Sequence, residues 1–273
     1  MAAADPSTGH EPDTYMALAI ELAREAGALV TTLAAEARAN PETKSSGSDL
    51  VTLADKQAEA LIVDGLLTAR PDDGIEGEEG ASHAGSSGVV WHIDPIDGTT
   101  NYVYAIPAFS VSIAAAVDDQ VVAGVVFDPV GDRLYRATIG GGAFCNDQPI
   151  ACTALDATAT ALVATGFSYN AARRRHQAGV VGSIISEIRD IRRFGSAALD
   201  LCAVATGQVD AYYELGLNRW DLAAGALIAA EAGALVANLD GGPPDSSFVL
   251  AANPTLFDQL APMLRAAGAT DPV

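Results

Sequence analysis

Two aspartates three residues apart, Asp94 and Asp97, are the residues whose spacing says most about chemistry. They flank Pro95 in the segment WHIDPIDGTTNY, after an apolar run that ends at Ile93 and before a GTT turn that opens at Gly98. Two carboxylates that emerge where a strand ends can face one cavity, and the backbone N–H groups that follow can hold an anion. A lone Asp in a turn is usually a cap or a turn former. That alternative explains two acids around a proline poorly.

Two further acidic segments lie far from this pair along the chain. The segment NRWDLAAGALIAAEAG places Asp221 before a predicted helix, where the alternative is an ordinary N-cap. Small residues at positions 223–225 would let that helix start approach a strand or a ligand closely. The segment GIEGEEG, residues 74–80, by itself predicts an exposed acidic loop; its acids are Glu76, Glu78 and Glu79.

The overall charge indicates what could hold such acids together. The chain has 35 Asp and Glu against 15 Lys and Arg, a formal net charge of −20. Two carboxylates 4 Å apart repel each other by about 4 kcal/mol at an effective dielectric constant near 20. Divalent cations would relieve that repulsion, and ligands that are all oxygen favour Mg²⁺, Mn²⁺ or Ca²⁺. Paired Mg²⁺ ions beside an anion-holding helix start describe a site of phosphoryl transfer.

Composition also excludes several classes of protein. The acidic surface would repel nucleic acid and anionic membranes, so neither is an expected partner. The sequence contains no CxxC pair, no GxSxG, no GxGxxG after a strand and no Walker loop, and its four histidines are scattered. No apolar run is long enough to span a bilayer, and the N-terminus has no basic region followed by an apolar stretch. We therefore expect a cytoplasmic protein with reduced thiols at Cys145, Cys152 and Cys202.

The pattern of apolar residues predicts a tail at residues 1–13 and a single domain over 14–273. A helix is predicted over Thr14–Ala37 with Asp13 as its N-cap, and a second over Leu53–Ala69, where Thr52 and Asp55 have capping-box spacing. Pro41 and residues 45–48 are predicted to form the intervening loop. A β-rich stretch follows, with strands predicted at Val89–Ile93, Phe109–Val117, Val121–Phe127, Leu134–Thr138 and Ala143–Cys145.

After Cys152 the pattern alternates between strand and helix. Layered α/β sheets are therefore predicted, rather than an all-parallel doubly wound fold, with halves at about 14–152 and 153–268. Asn253 before Pro254 is a predicted N-cap. The predicted strands are Ala161–Thr165, Asp190–Phe194, Ala211–Glu214, Leu235–Ala237 and Phe248–Ala251. The predicted helices are Ala172–Glu187, Ala197–Ala205, Leu222–Ala232 and Pro254–Ala267.

The order GEE, DPIDGT, WDLAAG resembles the signature of the inositol monophosphatase family, which are lithium-sensitive, metal-dependent phosphomonoesterases. KSSGSDLVTLAD (Lys44–Asp55) is similar to the family's first motif, and FGSAALDLCAVATGQVDAYYELG (Phe194–Gly216) to its substrate-side segment. Each motif alone is only suggestive, but five in order, covering nearly the whole chain after the tail, are very specific. The resemblance implies an αβαβα sandwich of the inositol monophosphatase and fructose-1,6-bisphosphatase type, and a homodimer.

The resemblance also implies a set of ligands for two to three Mg²⁺ ions per site. A first ion would be held by Glu78, Asp94 and the carbonyl of Ile96. Asp94 would bridge to a second ion, completed by Asp97 and Asp221, and a third, weaker ion would lean on Glu78. The bound metal would lower the pKa of an attacking water for in-line displacement at phosphorus.

Other residues receive their roles from the same resemblance. Glu78 with Thr99 would orient the attacking water, while Lys44 and Asp55 would act through neighbours of the metal site, Asp55 by positioning Thr99. The N–H groups of Gly98 and Thr99 would hold the phosphate. The hydroxyls of the substrate would meet the side chains and backbone of Asp97, Gly195, Ser196, Ala197, Glu214 and Asp221.

The match at Glu214 favours inositol 1-phosphate as the substrate. The alternatives within the superfamily are histidinol phosphate, fructose 1,6-bisphosphate and adenosine 3′,5′-bisphosphate. A different class of function is a non-catalytic sensor or scaffold built on an inactive phosphatase. Its expected mark is a lost metal ligand, yet every ligand position here carries an acid. The basic run Arg173–Arg175 could contact an anion, although such runs are more often a solvated face.

Overall fold

The computed structural model describes residues 12–39, 42–43 and 50–270. Helix α1 (Pro12–Ala39) begins two residues before its predicted start, so Asp13 lies inside the first turn and is not the N-cap. A two-stranded hairpin follows, of β1 (Glu42–Thr43) and β2 (Leu50–Val51). Pro12 and Asp13, the last two residues of the predicted tail over 1–13, are helical. Its first eleven residues, Pro41, Lys44 and the segment 45–48 lie outside the described residues.

Helix α2 (Leu53–Ala69) has the bounds that the sequence predicts. Its capping box is present, because the Thr52 hydroxyl accepts from the backbone N–H of Asp55 at 3.4 Å while the Asp55 carboxylate accepts from the backbone N–H of Thr52 at 2.8 Å. This reciprocal pair satisfies two N–H groups that a helix start leaves without partners. It also fixes the carboxylate of Asp55 at the end of the helix.

A large mixed sheet is built from the middle of the chain, and its eight described strands have the order β10-β9-β8-β7-β6-β5-β3-β4. Pairing is parallel between β3 and β5 and antiparallel elsewhere. The elements are β3 (Gly74–Gly77), β4 (Ser82–His83), β5 (Val89–Asp97), the short helix α3 (Thr99–Val103), β6 (Ser110–Val117), β7 (Gln120–Asp128), β8 (Arg133–Thr138), β9 (Gly142–Cys145) and β10 (Gln148–Pro149).

The sequence did not predict strand β3. Residues 74–80 were expected to form an exposed acidic loop, but Gly74–Gly77 pair in parallel with residues 90–93 of β5. Glycine has low intrinsic strand propensity, so nothing local indicates this strand; its pairing with β5 overrides the local preference. As a result Glu78 follows directly on a strand at the edge of the site.

A smaller mixed sheet of five described strands, in the order β12-β11-β13-β15-β14, is built from the C-terminal half. Its predicted elements are all present, with ends displaced by zero to three residues. The elements are β11 (Leu162–Thr165), α4 (Ala171–Ile184), β12 (Asp190–Arg192), α5 (Ala197–Ala205), β13 (Ala211–Glu214), α6 (Arg219–Glu231), β14 (Leu235–Ala237), β15 (Val249–Ala252) and α7 (Pro254–Ala266). Asn253 is the N-cap of α7, as predicted, and accepts from the N–H of Leu256 at 3.1 Å.

Three hydrophobic clusters define five layers. The first joins α1 and α2 to one face of the large sheet, the second joins the other face to α5, α6 and the small sheet, and the third lies between the small sheet and α4 and α7. Alternation along β6 shows the division, because Val111 and Ile113 belong to the first cluster and Ala114 to the second. The predicted αβαβα layering is thereby confirmed. In the described part of the chain, no helix is long and apolar enough to cross a membrane.

Candidate active site

Asp94 and Asp97 face the same side of the large sheet because β5 carries an extra residue between them. Asp94 pairs with Ser112 and Asp97 with Ser110, so a step of three residues on β5 opposes a step of two on β6. In a regular strand, residues three apart point to opposite faces. The bulge restores one face for both acids. Asp94 Oδ1 accepts from the N–H of Ile96 at 3.0 Å, which stabilises the bulge.

Gly98 makes the turn that follows. Its φ of 96° lies in the left-handed region, and a Cβ there would come within 3.0 Å of the carbonyl oxygen of Gly195 and 3.1 Å of that of Ala108. Only glycine meets both conditions without strain. The turn starts α3, whose first residue is Thr99.

The hydroxyl of Thr99 is held by two acceptors. Its Oγ1 lies 3.1 Å from the carbonyl oxygen of Ile96 and 3.1 Å from Asp55 Oδ1. Asp55 is fully buried, and its other oxygen accepts from the backbone and hydroxyl of Thr52. The capping box of α2 therefore reaches Thr99. Lys44, predicted beside these residues, lies outside the described part of the chain.

Asp221 approaches from the other side of the site, in the first turn of α6. The helix begins at Arg219, three residues before the predicted start, so Asp221 lies within it and does not precede it. Asp221 Oδ2 accepts from the N–H of Asn218 at 2.6 Å, which forms a capping box that the sequence analysis missed. The hydroxyl of Ser112 donates to the Trp220 carbonyl at 3.2 Å and ties the turn to β6. Cap and ligand are thus compatible roles for one carboxylate.

The three aspartates converge. Asp94, Asp97 and Asp221 each offer one oxygen, and these oxygens lie within 4.8 Å of one another. Burial, and then the charges of Glu78, Asp97 and Asp221, raise the pKa of Asp94 well above its ordinary value. Burial, followed by the charge of Asp97, also raises the pKa of Asp221. Without a cation the ionised forms of these carboxyl groups are disfavoured, because burial and the neighbouring negative charges both oppose them.

Helix α5 supports Asp97. The Ser196 hydroxyl donates to Asp97 Oδ2 at 2.5 Å, and the backbone N–H groups of Ala198 and Ala197 donate at 2.7 and 3.2 Å. Burial raises the pKa of Asp97 to about 6, although these hydrogen bonds oppose the rise. The backbone N–H of Ala197, in the segment that is expected to meet the substrate, donates to Asp97. Gly195, before the helix, has a φ of 92°.

Glu78 enters from β3. Its backbone N–H donates to the carbonyl of Ile93 at 3.2 Å, which places the residue beside the start of the bulge. The loop after it is held by Glu59 of α2, which accepts from the N–H groups of Glu79 at 2.7 Å and Ala81 at 2.9 Å. Glu59 is buried, and sequence reasoning missed it because a glutamate inside a helix gives no local signal.

These residues line a cavity of ≈ 410 Å³, within the usual range for small-molecule sites. We call it the catalytic cavity. Asp55 is not part of the lining but contacts Thr99, which is. The predicted residues in the lining are Glu78, Asp94, Ile96, Asp97, Gly98, Thr99, Gly195, Ser196, Ala197, Glu214 and Asp221.

The wall around Glu214 contains residues that were not predicted. Burial raises the pKa of Glu214 to about 7, and the hydroxyl of Tyr212, which donates to Oε2 at 2.7 Å, opposes part of the rise. Asp200 of α5 is 1% exposed, and its Oδ1 has no hydrogen-bond partner within the described residues. Burial, then Glu214, raise the pKa of Asp200 well above its ordinary value. Arg193 adds a cation to this wall. Asp200 lies inside a helix and Arg193 beside a strand, and nothing in the sequence indicates that either residue lines the cavity.

The donor set fits a hard divalent cation. All the side-chain groups that converge are carboxylates, and Mg²⁺ prefers oxygen ligands. Buried carboxylates this close together are costly for a fold to keep unless a cation neutralises them. Sulfur and imidazole ligands, which would indicate zinc, are absent from this cluster of described residues.

A layered α/β fold with a cluster of acidic residues beside a small polar cavity is typical of a class of phosphoric monoester hydrolases. Residues 11–269 match the Inositol monophosphatase family. The chain belongs to the inositol monophosphatase family, as the resemblance in the sequence implies.

Individual relatives are similar to this chain over most of its length. The inositol-1-monophosphatase SuhB of Mycobacterium tuberculosis (strain ATCC 25618 / H37Rv) is 43% identical over 285 residues, which cover 97% of this chain and 98% of that protein. The Nus factor SuhB of Pasteurella multocida (strain Pm70) is 39% identical over 89% of this chain and 92% of its own length. The solved structure of inositol monophosphate bound SaIMPase-II has a TM-score of 0.79 at 30% identity, covering 93% of this chain and 95% of that one.

Proposed function

We propose that this protein is a Mg²⁺-dependent phosphatase of small polyol or sugar monophosphates, with inositol 1-phosphate as its substrate. The observation that carries the proposal is the convergence of Asp94, Asp97 and Asp221 within 4.8 Å in the lining of a 410 Å³ cavity. Acids from two distant segments share this point, and both segments are fixed by hydrogen bonds that hold their carboxylates in place.

Glu78, Asp94, the carbonyl of Ile96, Asp97 and Asp221 would hold the metal. When bound, Mg²⁺ supplies positive charge that lowers the pKa of an attacking water and stabilises charge on the leaving oxygen. The chain itself has few cations to do this, since Lys and Arg number 15 against 35 acids. The metal also lets a phosphate enter a cavity that would otherwise repel it.

Thr99 would position the attacking water. Its hydroxyl hydrogen is directed to Asp55 or to the Ile96 carbonyl, so a lone pair of Oγ1 remains to accept from water. Glu78, which follows the neighbouring strand β3, would accept the second hydrogen of the same water. Two acceptors fix the orientation of a water for in-line attack. Gly98, without a Cβ, leaves the backbone open for the phosphate.

Glu214 would bind the hydroxyl groups of the substrate. Its carboxylate lies in the wall of the cavity and is held by Tyr212. One relative is named inositol-1-monophosphatase, and a solved relative is described as inositol monophosphate bound, which supports a cyclic polyol in this position. The other substrates that the family resemblance leaves open are histidinol phosphate, fructose 1,6-bisphosphate and adenosine 3′,5′-bisphosphate.

A panel of phosphate esters tests the proposal. Release of inorganic phosphate from inositol 1-phosphate, histidinol phosphate, fructose 1,6-bisphosphate and adenosine 3′,5′-bisphosphate would be measured with Mg²⁺ and with excess chelator. We expect the highest kcat/KM for inositol 1-phosphate and loss of turnover with the chelator. A higher kcat/KM for another ester would identify that ester, and not inositol 1-phosphate, as the substrate. Absence of release from every ester would favour the non-catalytic alternative, which a relative named Nus factor SuhB makes worth testing.

Gly166→Ala is expected to raise KM about tenfold, the usual cost of losing a hydrogen bond to a charged group. A Cβ at position 166 would lie 1.8 Å from Glu214 Oε2, so the carboxylate must leave its place. Gly182→Ala is the matched control, since a Cβ there meets no atom within 4 Å. Initial-rate kinetics of both variants, with each KM compared with that of the wild type, provide the measurement. An unchanged KM in Gly166→Ala would remove Glu214 from the substrate contacts.

Li⁺ is expected to inhibit at millimolar concentrations. It is close to Mg²⁺ in size and also takes oxygen ligands, so it can occupy a place among Asp94, Asp97 and Asp221. The resemblance implies that this place empties during the cycle, so inhibition should be uncompetitive or nearly so with respect to substrate. Titrations of Li⁺ against substrate and Mg²⁺ provide the measurement. Insensitivity well above this range would indicate a different second metal site.

A homodimer in the cytoplasm completes the proposal. Tyr104 and Ile106 are 71% and 47% exposed, and Phe194 is 36% exposed. Asn101 joins their segments by donating to the carbonyls of Ala108 and Phe194, both at 2.7 Å. An exposed apolar patch of this kind often marks a protein interface. Sedimentation analysis would show a monomer if the proposal is wrong.

A further inference from the structure

Glu78 differs from the three aspartates of the site in the kind of element that carries it. Asp94 and Asp97 belong to β5, and Asp221 belongs to the first turn of α6. Glu78 lies one residue beyond β3, in the turn that connects β3 to β4. A side chain on a turn is placed less accurately than one on a strand or a helix, unless other groups fix the turn.

The peptide groups before and after Glu78 are each fixed by a hydrogen bond. Its own N–H donates to the carbonyl of Ile93 at 3.2 Å. The next N–H along the chain, that of Glu79, donates to Glu59 Oε2 at 2.7 Å. Because each peptide group is planar, the two bonds together restrict φ and ψ of Glu78. They thereby fix the direction in which its side chain leaves the backbone.

Glu59 also holds the far end of the same turn. Its Oε1 accepts from the N–H of Ala81 at 2.9 Å, so the two oxygens of one carboxylate bind two N–H groups of the turn. The side chain is 6% exposed, and hydrogen bonds from N–H groups to a carboxylate are about twice as strong as those between neutral groups. The turn between β3 and β4 is therefore attached to α2.

Gly77 provides the space that Glu59 occupies. A Cβ at position 77 would overlap Glu59 Oε2 and lie 2.9 Å from its Cδ. Gly77 does not have a positive φ, so the close approach of the carboxylate, and not the backbone conformation, explains why a glycine stands here. Two residues from separate elements, Glu59 of α2 and Gly77 of β3, thus fit each other directly beside Glu78.

We propose that Glu59 is a positioning residue for Glu78, which it holds towards the metal cluster, and that it thereby sets the affinity of the site for Mg²⁺. The inference rests on the proposed function, in which Glu78 is a metal ligand. Glu59 is not among the described residues that line the catalytic cavity, so it acts through the backbone of the turn. Groups that hold a metal ligand in place typically contribute about 10–100-fold to metal affinity.

Calorimetric titration of Mg²⁺ into the metal-free full chain, without substrate, tests the proposal. Glu59→Gln keeps the size of the side chain but only one acceptor oxygen, so one of the two N–H groups loses its partner. We expect the affinity for Mg²⁺ to fall about tenfold. Glu25→Gln is the matched control, because Glu25 is an exposed residue of α1 and loses the same charge. Its affinity should equal that of the wild type.

Gly77→Ala separates the position of the turn from its charge. This variant keeps the formal charge of the chain but displaces the Glu59 carboxylate, so the affinity for Mg²⁺ should again fall about tenfold. Gly182→Ala, where a Cβ meets no atom within 4 Å, is the control. Because both test substitutions break the same hydrogen bonds, the double variant should lose little more affinity than either single variant.

Hydrogen exchange in the metal-free protein, followed by NMR, reports on the turn itself. The amides of Glu79 and Ala81 should exchange about tenfold faster in Glu59→Gln and Gly77→Ala, since a hydrogen bond to a charged group is lost. The amide of Ala198, which donates to Asp97, should keep its rate. Ile62→Val, at a fully buried position of α2, controls for a general loss of stability. It should melt earlier and bind Mg²⁺ as the wild type does.

Three results would overturn the proposal. Gly77→Ala binds Mg²⁺ as tightly as the wild type, in which case a fall in Glu59→Gln comes from the lost charge; or Ile62→Val loses as much affinity as Glu59→Gln; or the two amides of the turn keep their exchange rates. Thermal melts identify the variants that fold, and either test variant carries the experiment if the other does not fold. A wild type that fails to bind Mg²⁺ would contradict the proposed function as well, whereas these three results leave it standing.

Discussion

Asp94→Asn is expected to lower turnover on the order of 10³-fold or more, because the carboxylate would serve two metal ions at once. A loss of this size corresponds to about 4 kcal/mol of transition-state stabilisation. The fold should survive, since the Asn side chain keeps the oxygen that accepts from the N–H of Ile96. Initial rates with saturating Mg²⁺ would measure the effect.

Asp64→Asn is the control for charge alone. Asp64 is an exposed residue of α2 and loses the same unit of charge without touching the site. Its turnover should match the wild type within about twofold, as surface substitutions usually do. Near-normal turnover of Asp94→Asn at saturating Mg²⁺ would contradict the two-metal assignment.

Asp221→Asn is expected to have two opposite effects on stability. The metal-free protein should melt at a higher temperature, because one of three crowded carboxylates is gone. The increase in melting temperature on adding Mg²⁺ should shrink, because a ligand is also gone. A metal at 100 times its dissociation constant stabilises by roughly 2.7 kcal/mol, which in a chain of this size is a shift of about 5–10 °C.

The pH dependence of stability provides a second check on the direction of the change expected in Asp221→Asn. A carboxyl whose pKa is raised on folding binds more protons in the folded than in the unfolded protein, so stability falls as pH rises. The pKa values of Asp94 and Asp221 are raised, and that of Asp97 is raised to about 6. Metal-free wild type should therefore lose stability between about pH 4 and beyond pH 6. The gain from Asp221→Asn should be larger at pH 8 than at pH 5.

The competing interpretation is that Asp221 serves only in the capping box of α6. An Asn there keeps an oxygen that can accept from the backbone N–H of Asn218, so this interpretation expects little change in the melting temperature, the Mg²⁺ increment or turnover. Melts of both proteins at two pH values, with and without Mg²⁺, separate the two. An unchanged Mg²⁺ increment together with normal turnover would remove Asp221 from the metal site.

The fold was predictable where the spacing of apolar residues and the residues that start or end an element indicate the same boundaries. Helix α2 has the predicted bounds because the Thr52 capping box starts it and Pro71 follows its end. The strand at residues 211–214 and the helix at 197–205 were likewise placed to the residue. Strand β3 was not predicted, because two of its four residues are glycines of low strand propensity and its pairing with β5 overrides that preference.

The site was predictable in its acids and not in its surroundings. Asp94 and Asp97 are recognisable because they flank a proline after a strand. Other buried acids around the site are not recognisable, since Glu59 and Asp200 lie inside helices whose sequence does not say which neighbours they meet. Tertiary contacts alone give those two residues their places. Gly166 belongs to the same group, because its need for a missing Cβ arises from Glu214, 48 positions away in the chain.

Deletion of Ile96 alone would leave every acid of the site in the sequence and still disrupt the arrangement. Asp94 and Asp97 would then be two residues apart in a regular strand and would still share a face, but the carbonyl that accepts from the Thr99 hydroxyl would be gone. Substitution by another apolar side chain at position 96 would preserve that spacing. The number of residues between Asp94 and Asp97 therefore matters as much as the two acids themselves. An insertion or deletion in this segment would disrupt the site, whereas a change of side chain at position 96 would not.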